Sequence, residues 1–108
     1  MDIFEAVRKL SERPGMFLPK NDFYNNCSFL NGLNHASGSQ LLSGFAEWLS
    51  EKAPSETKNY WWPQQILSQV APDGNYLAWD NDESVQAEAT RALFNQLDIF
   101  LKERASGN

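Results

Sequence analysis

Apolar residues recur every three or four positions in several stretches of the chain, with polar residues between them, as in amphipathic helices. The first such stretch runs from about Asp2 to Glu12. Its apolar residues would share one face: Ile3, Ala6, Val7 and Leu10. Arg13-Pro14-Gly15 follows and predicts the end of the helix, because the residue before a proline avoids helical backbone angles.

Two helices are predicted in the middle of the chain. The first extends from about Ser39 to Lys52 and has an apolar face made of Leu41, Leu42, Phe45, Trp48 and Leu49. A polar surface loop follows over residues 54–59. Trp62-Pro63 then predicts the start of a short helix that continues to Val70, because proline suits the first helical turn. The run Pro72-Asp73-Gly74-Asn75 predicts a turn after this helix.

The C-terminal helix is predicted from about Asp82 to Arg104, and residues 105–108 are expected to be a frayed tail. One broad face holds Val85, Ala89, Ala92, Leu93, Gln96, Leu97 and Phe100. Asp80, Asn81 or Asp82 can cap its start, and Glu83 adds negative charge where the helix dipole favours it.

The segment from Met16 to Ser39 is ambiguous, because its asparagines and glycines favour turns while its apolar residues fit either a helix or a strand. Helix is preferred there, and a short strand or irregular segment is the alternative. The sequence thus predicts an all-α protein, a compact bundle of about four to five helices. With 108 residues, it fits a single domain over 1–108.

The charge balance indicates which class of partner the protein binds. Fourteen acidic residues against nine basic ones give a net charge of -5. Negative charge opposes direct binding to nucleic acid, whose affinity comes mainly from Lys and Arg, and it favours a basic protein partner. The apolar stretches are too short to span a bilayer, and one cysteine cannot form an internal disulfide. These features indicate a cytoplasmic protein.

Candidate catalytic and metal-binding residues are few. With one histidine and one cysteine, the usual nitrogen and sulfur metal sites cannot form. The run Asp80-Asn81-Asp82-Glu83 lacks the glycine and distal glutamate of a calcium loop, and helix capping explains it better. Cys27 and His35 are the one nucleophile–base pair available, and no known motif surrounds either. We therefore predict no enzyme activity, no metal and no cofactor.

Two features predict a partner-binding surface. Tyr60, Trp61 and Trp62 are consecutive, so their rings cannot all point inward from a helix or strand, and exposed aromatic residues are common binding anchors. An acidic stretch follows this run in the chain and contains no Lys or Arg before Arg91. Its members are Asp73, Asp80, Asp82, Glu83 and Glu88. We expect this stretch, beside the aromatic run, to dock on a basic protein; the alternative is a solvated face at a helix start.

The run Arg13-Pro14-Gly15-Met16-Phe17-Leu18, after an amphipathic helix, resembles a motif of small bacterial proteins. Those proteins are similar to immunity proteins of contact-dependent growth inhibition systems. The later pattern is also similar: Gly44-Phe45 in an apolar helix, Trp61-Trp62, and a closing helix with Phe94 and residues 97–101. The resemblance implies that the protein binds a cognate toxin domain, often a nuclease and therefore basic. The motif itself is expected to set a turn rather than to contact the toxin.

Three functions follow as hypotheses. The leading one is an immunity protein that occludes the active site or substrate surface of its toxin, which requires a complementary surface and no catalytic residue. The second is a non-catalytic adaptor or regulatory module that uses Tyr60, Trp61 and Trp62 to hold a peptide or a helix. The third is a small enzyme that uses Cys27 and His35.

Overall fold

All regular secondary structure in the described part of the chain is α-helical, which confirms the predicted all-α class. The computed structural model describes residues 3–13, 22–38, 40–74, 79 and 81–107. Five helices are defined in these residues: α1, Ile3–Glu12; α2, Phe23–Ala36; α3, Phe45–Lys52; α4, Trp62–Val70; and α5, Glu83–Ser106.

The backbone contacts divide the chain into two compact units, Met1–Ser43 and Gly44–Asn108. The first unit contains α1 and α2, and the second contains α3, α4 and α5. The division does not test whether the chain behaves as one domain, so the single-domain assignment stays a prediction.

In the first unit, helix α1 ends at Glu12, as the following Arg13-Pro14-Gly15 predicts. Its polar side carries exposed ion pairs between Arg8 and Glu12 (3.3 Å) and between Lys9 and Glu5 (3.6 Å), whereas Leu10 is buried. Exposed pairs of this kind contribute only a few tenths of a kcal/mol, about 0.3–0.5 each. Burial of Leu10 is therefore a stronger contribution than these ion pairs.

The ambiguous segment is helical from Phe23 to Ala36, so the strand alternative is wrong for these residues. Asp22 caps the helix, because its Oδ1 accepts a hydrogen bond from the backbone N–H of Asn25 at 2.8 Å. The buried side chains follow helical spacing: Phe23, Asn26, Cys27 and Leu30. Two of its asparagines form hydrogen bonds with the backbone, and the side-chain nitrogen of Asn26 donates to the carbonyl of Asp22 at 2.8 Å. Asn34 accepts a bond from the N–H of Leu42 at 2.8 Å.

Helix α3 begins at Phe45, so the predicted start near Ser39 is wrong. Residues 40–44 form turns, and Gly44 has a φ of +88°, which an α-helix cannot include. Leu41 and Leu42 are buried as expected, but they lie in the turns before α3 and not in the helix. The apolar pattern therefore identified the buried residues correctly and misplaced the helix boundary.

In the second unit, an aromatic cluster joins the three helices. The ring of Phe45 on α3 lies 5.5 Å from Trp62 on α4 and 5.3 Å from Phe100 on α5, between ring centroids. These distances are typical of favourable aromatic pairs. The buried face of α5 agrees with the prediction except that Ala92 and Gln96 are only half-buried; its buried residues are Val85, Ala89, Leu93, Leu97 and Phe100.

Both ends of α5 differ slightly from the prediction. Asp82 is the cap and not the first helical residue, since its Oδ1 accepts the N–H of Val85 at 3.0 Å. The helix continues through Ser106, two residues past the predicted end, and Gly107 follows it as the C-terminal cap. Ala105 and Ser106 are thus part of the helix, while Asn108 lies outside the described residues.

A matched pair of glycine substitutions tests this account of the α3 start. Gly44→Ala should lower the free energy of unfolding by about 1–2 kcal/mol, because a left-handed backbone is strained for a residue with a Cβ. Gly32→Ala should raise it by up to about 1 kcal/mol, because Gly32 lies in the interior of α2, exposed and with open space around it. Urea unfolding of the variants measures both. Changes of the same sign would contradict the assignment.

Candidate protein-binding surface

The three consecutive aromatic residues are divided between core and surface. Trp62 is 7% exposed and belongs to the aromatic cluster, whereas Trp61 is 54% exposed and Tyr60 is 36% exposed. This confirms that the three rings do not all point inward. It also corrects the predicted contact set, because the ring of Trp62 packs in the core and is not presented to a partner.

The backbone that carries Tyr60 and Trp61 is fixed by one buried side chain, Gln65 of α4. Its Nε2 donates to the carbonyl of Tyr60 at 2.8 Å and to the Oγ of Ser50 on α3 at 3.2 Å. The Oγ of Ser50 in turn donates to the carbonyl of Lys58 at 3.0 Å. Gln65 is 3% exposed, so these bonds are shielded from water. Trp61 is therefore presented from an ordered loop.

Sequence reasoning did not identify Gln65 as a functional residue. It stands in the middle of a short helix, where a glutamine usually faces solvent, and nothing local to it signals that the loop before the helix folds back over it. The carbonyl groups of Lys58 and Tyr60 become its partners only when that loop has closed.

A shallow groove of about 300 Å³ lies next to this anchored loop. Its lining residues come from α3 and the loop: Ala46, Glu47, Ser50, Glu51 and Lys58. Glu47 and Glu51 are one helical turn apart and exposed, and neither forms an ion pair with another described residue. Neither glutamate was assigned a role from the sequence.

Some residues of the predicted acidic stretch have structural roles. Asp82 caps α5, and Asp73 accepts a hydrogen bond from the indole Nε1 of Trp79 at 3.0 Å. Glu83 stands in the first turn of α5, where the helix dipole favours a negative charge, and Glu88 is exposed. Asp80 lies outside the described residues. Helix capping thus explains Asp82, and binding by the other four acidic residues stays a prediction.

The aromatic run and the acidic stretch are not side by side, contrary to expectation. They precede and follow α4, whose nine residues span about 14 Å at 1.5 Å per residue. Near the end of α4, the side chain of Gln69 accepts a hydrogen bond from Gln96. At the start of α4, Trp62 packs on Phe45, which in turn packs on Phe100. The two helices therefore run in opposite directions, and the start of α5 with Glu83 lies beyond the end of α4. These features form two separate surfaces.

The net charge is concentrated in one unit. Gly44–Asn108 contains ten Asp and Glu residues against five Lys and Arg residues, whereas Met1–Ser43 contains four of each. The whole net charge of -5 therefore belongs to the unit that presents Trp61 and the groove. Two of the five cations are also engaged with rings: Lys52 lies 4.3 Å from the Trp48 ring, and Arg104 lies 5.2 Å from the Phe100 ring.

Cys27 and His35 do not form a nucleophile–base pair. Both lie on α2 and are eight residues apart, which places their backbones about 12 Å apart along the helix. Cys27 is 1% exposed, and burial, followed by the nearby charge of Asp22, raises the pKa of its thiol. His35 is exposed. This geometry removes the specific pair on which the enzyme hypothesis depended.

The described residues contain no group of three or more His, Cys, Asp or Glu residues arranged to hold a metal ion. No helix among them is both long and apolar enough to cross a membrane.

Comparison with known proteins identifies no relative: no protein-family model, curated protein or solved structure matches this chain significantly. The resemblance to immunity proteins therefore stays a prediction. The part of its distinctive motif at residues 14–18 lies outside the described residues.

Burial of Cys27 predicts a pH-dependent stability. The pKa of the Cys27 thiol in the folded state is raised above its ordinary value of 9.0. The contribution of the buried neutral thiol to stability is therefore complete below pH 9.0. It is lost as the pH rises above that value, because the unfolded chain then releases the thiol proton while the folded chain retains it. The free energy of unfolding should fall by up to about 1.4 kcal/mol per pH unit in that range. Urea unfolding at several pH values, compared with Cys27→Ala, isolates this slope. Identical slopes in the two proteins would contradict the burial.

A second prediction concerns the anchored loop. Gln65→Leu keeps the size of the side chain but removes the donor to Tyr60 and Ser50, so it should lower the free energy of unfolding by about 1–3 kcal/mol. Hydrogen exchange at the amide of Tyr60 should become faster, because this amide bonds to Thr57 within the same loop. The control is Gln64→Leu at the neighbouring, half-buried position. Equal effects at both positions would show that Gln65 does not hold the loop.

Proposed function

We propose that this protein is an immunity protein that binds and neutralises the toxin domain of a contact-dependent growth inhibition system. The partner is a basic protein domain, such as a nuclease. The observation that carries the proposal is the exposed indole of Trp61 on a loop fixed by Gln65. The resemblance of the sequence to such immunity proteins supplies the class of partner.

An ordered, exposed tryptophan favours a protein-binding role. Tryptophan is among the residues that contribute most to binding free energy at protein interfaces, where it fills a pocket of the partner. Trp61 and Tyr60 are presented together, and the anchored backbone limits the conformational entropy that they would lose on binding.

The charge distribution supports a basic partner. All of the net negative charge belongs to Gly44–Asn108, the unit that contains Trp61. Complementary charge accelerates the encounter of two proteins and disfavours acidic competitors, and added salt weakens this effect. A toxin that acts on nucleic acid requires positive charge at its substrate surface, so an acidic inhibitor fits that surface.

Inhibition of this kind requires no chemistry from the immunity protein. By covering the active site or the substrate surface of the toxin, it excludes the substrate for as long as the complex persists. The lifetime of the complex, and therefore the slow dissociation rate, determines how well the cell is protected.

The alternative is a non-catalytic adaptor or regulatory module. The same two exposed rings, Tyr60 and Trp61, would then hold a peptide or a helix of a cellular partner. The two functions differ in the partner and not in the surface. The immunity function predicts a toxin gene next to this one, and a test with the product of that gene separates the two functions.

A co-expression experiment tests the immunity function. Cells that produce the neighbouring toxin domain should survive when they also produce this protein, and Trp61→Ala should reduce protection and weaken the complex by tenfold or more, the effect of removing a central aromatic anchor. The matched control is Ile99→Ala, which truncates another exposed apolar side chain, on α5 (39% exposed). Survival counts and the dissociation constant of the purified pair measure the effect.

The outcomes separate the two functions. Absence of protection by the wild-type protein, with the toxin shown to be active, would reject the immunity function. Protection that is unaffected by Trp61→Ala would leave the function in place and reject this surface as the contact.

A further inference from the structure

The groove beside the anchored loop combines two features that favour a basic segment of a partner protein as its ligand. Glu47 and Glu51 line it one helical turn apart, exposed and without an ion-pair partner among the described residues. The same groove adjoins the loop that carries Trp61, because Ser50 and Lys58 both line it and both take part in the Gln65 network.

The buried amide of Gln65 holds the loop side of the groove in place. Its nitrogen must face the carbonyls of Tyr60 and Lys58, which can only accept hydrogen bonds, so the orientation of the amide is fixed. Its Oε1 is therefore an acceptor, and it has no hydrogen-bond partner among the described residues although Gln65 is 3% exposed. This oxygen is buried and is not part of the groove lining, so what Gln65 contributes to the groove is the fixed position of Ser50 and Lys58.

We propose that this groove receives a basic segment of the partner protein, with an Arg or Lys side chain between Glu47 and Glu51 and an apolar neighbour of that side chain against Trp61. The inference rests on the proposed function for the identity of the partner. It places the contact on α3 and the loop before α4, and not on the predicted acidic stretch at the start of α5.

Charge complementarity identifies the occupant. A guanidinium or ammonium group supplies N–H donors and positive charge, and hydrogen bonds between charged groups are about twice as strong as neutral ones. A volume of about 300 Å³ lies at the lower end of the range for ligand sites, which suits one or two side chains better than a folded element. The exposed indole of Trp61 adds an apolar and cation-binding surface for the rest of the segment.

An NMR titration with a synthetic peptide of alternating arginine and leucine tests the groove without the toxin. The peptide should shift the backbone amides of Glu47, Ser50 and Glu51 and the indole N–H of Trp61, which is assigned by its absence in Trp61→Ala. The double variant E47Q/E51Q should weaken peptide binding about tenfold or more. The matched double variant E83Q/E88Q removes the same amount of charge from exposed positions on α5 and should weaken it less than about threefold.

Each other outcome overturns the inference. Equal weakening by the two double variants would mean that only the overall charge attracts the peptide. Shifts confined to the start of α5, or no saturable shift, would mean that the groove does not receive it. Shifts of the groove residues that depend on protein concentration without peptide would identify a second copy of the chain as the occupant.

This test is separate from the test of immunity. Peptide binding in the groove without protection against the toxin would reject the immunity function and retain the groove as a binding site for basic segments. Protection against the toxin with no peptide binding in the groove would retain the immunity function and reject the groove as its contact.

Discussion

The burial of Trp62 against Phe45, which also packs on Phe100, is the constraint on which the rest of the second unit depends. These three rings connect α4, α3 and α5, and together with their neighbours they remove a large apolar area from water. Because successive residues at a helix start point in different directions, the burial of Trp62 leaves the preceding Trp61 directed outward. The core thus determines which tryptophan a partner can reach.

The hydrogen bonds of Gln65 hold in place the loop that carries Trp61. An exposed loop of nine residues between α3 and α4 would ordinarily sample many conformations. One buried amide bonds to the loop backbone and to α3, and so it connects the aromatic surface with the groove. Binding and stability are linked at this point, because the same side chain that stabilises the fold also fixes the candidate contact surface.

Much of the helical content could be predicted from spacing alone. The apolar face of α5 and its Asp82 cap, the Trp62 start of α4 and the end of α1 all follow from local signals. The start of α3 could not be predicted, because the apolar residues Leu41 and Leu42 continue the helical spacing through a turn. The left-handed backbone of Gly44 interrupts the helical spacing. Glycine adopts helical and left-handed conformations about equally well, so its presence in the sequence did not predict the interruption.

The sequence by itself determined the helical class, the excess of acidic residues and the shortage of catalytic side chains, because composition and periodicity are local properties. It also showed that one ring of the aromatic run must be exposed. Only the tertiary structure decided which one, since Trp62 packs on Phe45, which lies 17 positions away in the chain. In the same way, only folding brought Glu47, Glu51 and Lys58 around one groove.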